Sequence, residues 1–234
     1  IVAAERPEVL YAFLPIQTAL AALLRPSGAK LVFGLRAGGM QLDRYDTLSA
    51  LSYRLEALLA RRADLVVANA RSIRDDAARR GIDPARIAVV PNGIDTDAFR
   101  PDPRARAALR REWGVEDGTF LVGIVARLDP MKDHDTFLHA ARLFLRDHGE
   151  ARFVVVGDGD AARREGLKAL SAALGLGERV IWAGERRDLS AVYSALDVAT
   201  SSAAFGEGFS NALGEAMACE RPVVATDVGD ARAV

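Results

Sequence analysis

Two glutamates lie on either side of a predicted helix start near the end of this 234-residue sequence. In the stretch GEGFSNALGEAMACE, Glu207 falls in a loop and Glu215 about one and a half turns inside the helix, so both can face one cleft. A carboxylate accepts two hydrogen bonds, which suits a vicinal diol. The structural alternative is that Glu207 complements the helix dipole and Glu215 lies at the surface. The apolar neighbours of Glu215 weaken that alternative, because a carboxylate among them needs a partner.

The residues between the two acids have the composition of an anion site. Gly208 lets the backbone approach a ligand closely. At the helix start, the N–H groups of Phe209, Ser210 and Asn211 lack partners within the helix and would point at an anion. The stretch therefore predicts a site that combines anion binding with recognition of hydroxyl groups.

Two cations mark a second candidate site in VARLDPMKD, residues 125–133. Arg127 follows a predicted buried strand, and Lys132 lies in the loop before the next helix. Arginine binds phosphate in a bidentate manner and lysine acts as a point charge, so the pair suits a diphosphate. The alternative is a solvated loop in which the cations pair with Asp129 or Asp133.

A third pattern favours a different class of enzyme. The stretch VVVGDGDAARREG places G-x-G-x-x-A between a strand and a helix, and Glu185 ends the following strand, as in a dinucleotide-binding unit. A dehydrogenase would leave Arg127, Lys132 and the two acids without a role. It would also carry its fingerprint on the second strand of the domain instead of the first.

Short β-rich runs alternate with helical periods along the whole chain, which predicts parallel sheets covered by helices on both faces. The linker PNGIDTDAFRPDPRARAALRREWGVEDG separates two such α/β regions. We therefore expect a first domain over residues 1–97 and a second over 98–234. Ligands of open α/β sheets bind outside the carboxyl ends of the strands, where the candidate residues fall.

Two predicted helices in the first region have recognisable features. The helix over 47–62 is expected to pack one leucine face, formed by Leu48, Leu51, Leu55, Leu58 and Leu59, into the core. Its Arg54, Arg61 and Arg62 permit a second interpretation, in which the helix rests on an anionic membrane. In SIRDDAARRG, Ser72 is the expected N-cap and Gly81 the expected stop.

Bulk properties exclude several functional classes. A net charge of −1 gives no overall attraction to nucleic acid. A single cysteine, Cys219, excludes an internal disulfide framework and favours a reducing compartment, and three scattered histidines predict no metal site. No apolar run is long enough for a membrane span, and no signal peptide is visible. The missing initiator Met and the end just after a strand suggest a piece of a longer protein.

Taken together, these motifs resemble the retaining GT-B glycosyltransferases of family 4. The resemblance covers most of the chain: VVPNGIDTDAFRP resembles the linker between the family's two Rossmann-like domains, and VGIVARLDPMKDHDTFLHAARLF the start of its C-terminal domain. FVVVGDGD resembles its Gly-Asp-Gly turn, and EGFSNALGEAMACERPVVAT its E-x7-E motif. The resemblance implies two Rossmann-like parallel-sheet domains that face a cleft, both incomplete here.

The resemblance also implies residue roles. Arg127 and Lys132 would hold the donor's diphosphate and stabilise the departing nucleotide. Glu215 would accept hydrogen bonds from the ribose, and Glu207 would contact the transferred sugar. The backbone at 208–211 would contact sugar or phosphates, and Glu185-Arg186 would lie by the base. The catalytic set is Arg127, Lys132 and Glu207, and the donor-binding set adds Glu185, Arg186, Gly208, Phe209, Ser210, Asn211 and Glu215.

The same resemblance implies no cofactor and no metal, a UDP-sugar or GDP-sugar donor and a glycan or lipid-linked acceptor. The setting would be cytoplasmic bacterial glycan or polysaccharide biosynthesis, with peripheral contact to the inner face of the membrane as a further expectation. Arg36, in GLRAGGMQLDRYD, is expected near the acceptor. An epimerase of related fold and a nucleotide-sugar-binding protein without catalysis remain alternatives.

Some positions depart from the family pattern. Tyr11 and Phe13 stand where a His-x-His pair is common, so no catalytic histidine is assigned. Glu220 occupies a turn where glycine is usual. The family's N-terminal glycine-rich loop and its final crossing helix are also absent from the sequence.

Overall fold

The computed structural model describes residues 2–234, which divide into two α/β units. Unit 1 joins the residues up to Asn92 with the segments 205–209 and 227–233. Unit 2 holds 93–204 and 210–226 together with Val234. The first division of the chain, between Asn92 and Gly93, falls in the linker predicted from the sequence.

Unit 1 contains a four-stranded parallel sheet in the order β1-β2-β3-β4. Its apolar core lies between this sheet and the helices, with Leu31 and Phe33 fully buried on β2. The elements are α1 (Val2–Glu5), β1 (Val9–Phe13), α2 (Pro15–Leu24), β2 (Lys30–Leu35), α3 (Thr47–Leu59), β3 (Leu65–Ala68), α4 (Arg71–Arg79) and β4 (Ile87–Val89).

Unit 2 contains a five-stranded parallel sheet in the order β7-β6-β5-β8-β9. Strand β6, next to the central strand β5, is buried on both faces, with Phe153 and Val155 in one apolar cluster and Val154 and Val156 in the other. The elements are α5 (Pro103–Glu112), β5 (Leu121–Val125), α6 (His134–His148), β6 (Arg152–Val156), α7 (Ala161–Ala173), β7 (Val180–Gly184), α8 (Leu189–Ala195), β8 (Val198–Ser201), α9 (Asn211–Ala218) and β9 (Val223–Ala225).

The predicted leucine face of α3 is wrong for three of its five members, since only Leu59 is buried and Leu55 packs against the core. Leu48, Leu51 and Leu58 are 63%, 62% and 59% exposed, whereas the buried residues of α3 are Ser52, Glu56 and Leu59. A glutamate can occupy the inner face because it has partners there: the guanidinium of Arg80 lies 3.4 Å from Glu56, and the Thr18 hydroxyl donates to it at 3.4 Å. The helix therefore turns Leu48, Leu51 and Leu58 outward.

The predicted N-cap of α4 is also wrong. Helix α4 begins at Arg71 with Ala70 as the cap residue, and no local side chain caps it. Instead the Asp230 carboxylate accepts from the backbone N–H groups of Arg71 at 2.7 Å and Ser72 at 2.9 Å. Asp230, which is distant in the sequence, thus caps the N-terminus of α4. A local sequence pattern cannot predict such a cap.

Candidate functional site

The two predicted phosphate ligands of unit 2 follow the central strand β5. Arg127 leaves its side chain 74% exposed, 3.7 Å from Asp129. Lys132 ends a short 3₁₀ turn, Pro130–Lys132, which begins where the Asp129 carboxylate accepts from the Met131 N–H at 2.9 Å. Both cations therefore lie at the carboxyl edge of the sheet, on a turn whose shape the chain itself fixes.

The loop after β8 anchors this turn. The Ser202 hydroxyl contacts the carbonyl oxygens of Lys132 at 3.0 Å and Asp133 at 2.8 Å, and the Ala204 N–H donates to the Met131 carbonyl at 2.9 Å. Because β5 and β8 are parallel neighbours, their carboxyl ends lie at the same edge. Sequence analysis missed Ser202, which carries no recognisable pattern.

Helix α9 follows at the same edge. Ser210 is its N-cap residue and is buried, and Asn211 is its first residue. Within the helix, the Glu215 carboxylate accepts a 2.9 Å hydrogen bond from the Tyr193 hydroxyl of α8. Burial raises the pKa of Glu215, while the Tyr193 hydrogen bond opposes that rise. Glu215 is thus a half-buried acid, and Tyr193 holds one of its two carboxylate oxygens.

The predicted base-binding segment follows β7, two strands from β5. The Arg186 guanidinium bonds to Asp188 at 2.7 Å and to Glu112 at 2.7 Å, and it lies 5.8 Å from the Trp113 ring centre. These hydrogen bonds to carboxylates raise the pKa of Arg186. The side chain of Arg186 is therefore engaged within unit 2, while Glu185 is exposed.

The remaining predicted ligands, Glu207, Gly208 and Phe209, belong to unit 1. A Cβ atom at Gly208 would approach Asn69 Oδ1 to 2.5 Å and Ile73 Cγ1 to 2.8 Å. Glycine at this position is therefore required by packing against the start of α4. Glu207 is half-buried, and its carbonyl oxygen would lie 2.6 Å from a Cβ at Gly229.

The glycines of the Gly-Asp-Gly turn allow it to pack closely against neighbouring backbone. Gly157 has φ +134°, and a Cβ there would lie 2.0 Å from the Ala126 carbonyl oxygen. A Cβ at Gly159 would lie 2.9 Å from the Leu128 carbonyl oxygen. The turn thus packs directly against the loop that carries Arg127, which explains the glycine pattern without a nicotinamide dinucleotide.

Unit 1 has a cavity of about 380 Å³ at the carboxyl ends of β1 and β2. Arg36 lines it, with its guanidinium 5.0 Å from the Phe13 ring centre. Several polar lining groups are already paired within the unit: the Tyr53 hydroxyl donates to Asp76 at 2.9 Å, and Glu56 bonds as described above. Among residues 2–234, no group of three or more His, Cys, Asp or Glu side chains is arranged to hold a metal ion.

Comparison with known sequence families accounts for both halves of the chain. The family described as "Glycosyl transferases group 1" matches residues 119–234, and the "Glycosyl transferase 4-like domain" matches residues 1–93. The two matches adjoin the linker from either side.

Curated relatives include D-inositol 3-phosphate glycosyltransferases. That of Nocardia farcinica is 38% identical over 175 residues, covering 71% of this chain and 38% of the relative. That of Segniliparus rotundus is 36% identical over 151 residues, covering 63% of this chain and 33% of the relative. The chain thus spans only about a third of the length of these relatives.

Solved structures show the same fold. Anabaena HepE in complex with UDP-glucose superposes with a TM-score of 0.87 at 26% identity, covering 97% of this chain and 61% of HepE. Sucrose-phosphate synthase from Thermosynechococcus elongatus gives a TM-score of 0.80 at 22% identity, covering 95% of this chain and 56% of the synthase. The two parallel-sheet units therefore have the GT-B architecture.

Proposed function

Because this chain belongs to the group 1 glycosyltransferases, we propose that the intact protein transfers a sugar from a nucleoside diphosphate sugar to an acceptor with retention of anomeric configuration. The observation that carries this proposal is the anchored Arg127–Lys132 turn at the carboxyl edge of the unit 2 sheet. It offers two cations at the sheet edge where β8 ends and the chain leads into α9. A diphosphate is the ligand whose charge and size match this arrangement.

The chemistry follows from where charge develops. As the bond between the anomeric carbon and the diphosphate oxygen breaks, negative charge accumulates on the leaving phosphate. Arg127 and Lys132 stabilise that charge. Because their turn is already in place, the free-energy cost of reorganising the protein when the bond breaks is small. The acceptor hydroxyl oxygen then forms the new glycosidic bond while its proton passes to the leaving phosphate oxygen, and the nucleoside diphosphate departs.

The remaining residues would position the donor. Glu215, oriented by Tyr193, accepts hydrogen bonds from the ribose. Glu207 contacts the transferred sugar, and the backbone at 208–211 contacts its hydroxyls or the phosphates. Glu185 and Arg186 contribute backbone near the base, since the Arg186 side chain is engaged with Glu112 and Asp188.

The identity of the substrates is also proposed. UDP-glucose bound to HepE supports a uridine diphosphate sugar as donor, with a GDP-sugar as the alternative. The inositol phosphate named for the curated relatives supports a hydroxyl-rich or phosphorylated acceptor, and a lipid-linked glycan fits the same role in bacterial glycan biosynthesis. No metal is required in this scheme, because cationic side chains neutralise the leaving group. Sugar transfer in the intact protein should therefore persist in EDTA.

No helix formed by residues 2–234 has the length and apolar character needed to cross a bilayer. As a separate proposal, the intact protein acts in peripheral contact with the inner face of the cell membrane.

The test compares nucleoside diphosphate release by the intact protein across UDP- and GDP-sugars. Lys132→Ala and Glu215→Ala should each lower sugar transfer at least 100-fold while the fold is retained. The matched controls are Lys168→Ala and Glu165→Ala, an exposed pair on α7 whose side chains lie 3.2 Å apart. Wild-type transfer rates in both site variants would refute the proposal. Conversion of the donor without an acceptor would indicate an epimerase, and tight donor binding without turnover a binding protein.

A further inference from the structure

The exposed side of α3 is a stripe of three leucines and three arginines. With 100° per residue, Leu48, Leu51, Arg54, Leu58, Arg61 and Arg62 fall within an arc of about 140°, continued at the C-terminal end by the 3₁₀ turn Ala60–Arg62. The buried residues Ser52, Glu56 and Leu59 occupy the adjoining arc of about 60°, which begins about 20° from Leu48. We call the six exposed residues the leucine–arginine stripe.

The leucines of this stripe leave much apolar surface exposed on unit 1. Each is about three-fifths exposed, and α2, which packs against α3, also exposes Leu20, Leu23 and Leu24. Single exposed leucines are ordinary on protein surfaces, but aligned leucines on packed helices indicate a surface used for contact.

The charge of the stripe is uniformly positive. It contains no acidic residue, since Glu56 lies on the buried side and Asp64 binds Arg25 at 2.9 Å. Within the part of the chain that the structure describes, the guanidinium groups of Arg54, Arg61 and Arg62 form no hydrogen bond or ion pair. Three cations are therefore presented among the leucines with no internal neutralisation.

We propose that the leucine–arginine stripe is a docking surface for an anionic membrane. Leucines would enter the boundary between headgroups and acyl chains. The arginines would lay their aliphatic stems beside the leucines and extend their guanidinium groups to lipid phosphates. The mixture of leucine and arginine within one stripe fits an interface where apolar and anionic groups are layered.

The charge pattern disfavours a second copy of this chain as the occupant. In a two-fold symmetric contact the same patch faces itself, so Arg54, Arg61 and Arg62 would meet their own equivalents while burying no acid. An anionic lipid surface supplies the missing negative charge over the whole length of the helix. Docking through α3 would give the proposed peripheral membrane contact its surface, and it does not depend on the sugar-transfer chemistry.

The first experiment measures co-sedimentation of the intact protein with vesicles. Phosphatidylglycerol mixed with phosphatidylcholine is compared with phosphatidylcholine alone. The wild-type protein should bind the anionic vesicles at least tenfold more strongly, and 0.5 M salt should weaken that binding. A protein that binds neither kind of vesicle, or both equally, overturns the proposal.

The second experiment separates the two components of the stripe. Replacing Arg54, Arg61 and Arg62 by Gln should weaken binding to anionic vesicles about 100-fold, since each basic group near such a surface contributes about fivefold. Replacing Leu48, Leu51 and Leu58 by Ser should weaken it at least tenfold. The matched control, Leu143→Ser with Arg104→Gln and Arg111→Gln, alters exposed residues of α5 and α6 and should bind like the wild type.

Circular dichroism and the melting temperature establish that each variant is folded. Stripe variants that are folded and still bind like the wild type overturn the proposal. If light scattering shows a wild-type dimer that both stripe variants dissociate, the stripe is a subunit interface and the proposal fails.

A third measurement does not depend on loss of binding. The native tryptophans, Trp113 and Trp182, both lie in unit 2. Leu51→Trp places an indole within the stripe, and its emission should shift to shorter wavelength with anionic vesicles. Leu143→Trp on α6 should show no shift. An unshifted emission from Leu51→Trp under conditions of vesicle binding would show that another surface docks.

Discussion

The hydroxyl of Tyr193 donates a 2.9 Å hydrogen bond to the carboxylate of Glu215, joining α8 to α9. Burial raises the pKa of both groups, so neither is well solvated. The bond fixes one carboxylate oxygen of Glu215 and so orients the other. Tyr193 is therefore a positioning residue for the proposed ribose contact.

Removal of this hydroxyl tests that role. Tyr193→Phe should weaken nucleoside diphosphate binding about fivefold, because a hydrogen bond of this kind contributes about 1 kcal/mol. The binding should weaken while the melting temperature changes by only a few degrees. Isothermal titration with UDP measures the effect. Tyr53→Phe, which removes a comparable hydroxyl bonded to Asp76 in unit 1, serves as the control and should leave UDP affinity unchanged.

A substitution at Gly157 should destabilise unit 2 strongly. Alanine there would place Cβ 2.0 Å from the Ala126 carbonyl oxygen at a φ of +134°, and the backbone would have to move. The expected loss is about 3 kcal/mol or more in the free energy of unfolding. Gly166→Ala is the matched control, because this position in α7 has open space around it. It should gain up to about 1 kcal/mol of stability through higher helix propensity.

Denaturant titration distinguishes these two glycines. Equal midpoints for Gly157→Ala and the wild type would mean that the turn does not pack as closely as the distances indicate.

Replacement of Glu220 by glycine should stabilise the protein. Glu220 follows the end of α9 with a φ of +56°, a left-handed conformation that costs a residue with a Cβ about 1 kcal/mol. Glycine adopts it without that cost, so Glu220→Gly should raise the free energy of unfolding by up to about 1 kcal/mol. Glu220→Ala retains the Cβ and should change stability little. A Glu220→Gly variant less stable than Glu220→Ala would contradict the prediction.

His134 should make stability depend on pH. The side chain is fully buried, and within the described residues neither ring nitrogen has a hydrogen-bond partner. Burial, assisted by Arg163, lowers its pKa to about 4. His134 binds a proton near pH 6.5 in the unfolded chain and near pH 4 in the folded chain. The stability that the neutral buried imidazole contributes is therefore fully present above pH 6.5 and is lost as pH falls toward 4. The decline should reach about 3 kcal/mol.

Urea denaturation between pH 7 and pH 4 measures this dependence. His134→Leu should flatten the slope, whereas His139→Gln, at an exposed position on the same helix, should retain it. An unchanged slope in folded His134→Leu would assign the acid sensitivity to another group.

The parallel-sheet architecture could be predicted from the sequence because buried strands such as β6 are continuous apolar runs, and glycines and prolines mark their ends. The position of Arg127 and Lys132 at the carboxyl edge of the sheet could be predicted because they follow the apolar run of β5, whereas their role as ligands stays a prediction. The family resemblance marked position 220 as one where glycine is usual, and the structure gives Glu220 a φ of +56° there.

Contacts between residues distant in the sequence could not be predicted. The leucines of α3 suggest a buried face by their number alone, yet Glu56 occupies it because Arg80 and Thr18 supply partners. Ser72 has the composition of an N-cap, yet Asp230 takes that role from more than 150 positions away. In both cases tertiary pairing overrides a local preference.

The return of segments 205–209 and 227–233 to unit 1 has an evolutionary consequence. A gene divided at the junction of Asn92 and Gly93 would separate α4 from Gly208, which fits against Ile73, and from Asp230, which caps the helix. Recombination that exchanged the second half for that of a related enzyme would replace Gly208 and Asp230 by the residues of that enzyme, while α4 stayed unchanged. Chimaeras should therefore fold when the residues at positions 208 and 230 of the imported half are compatible with α4 of the half that receives them.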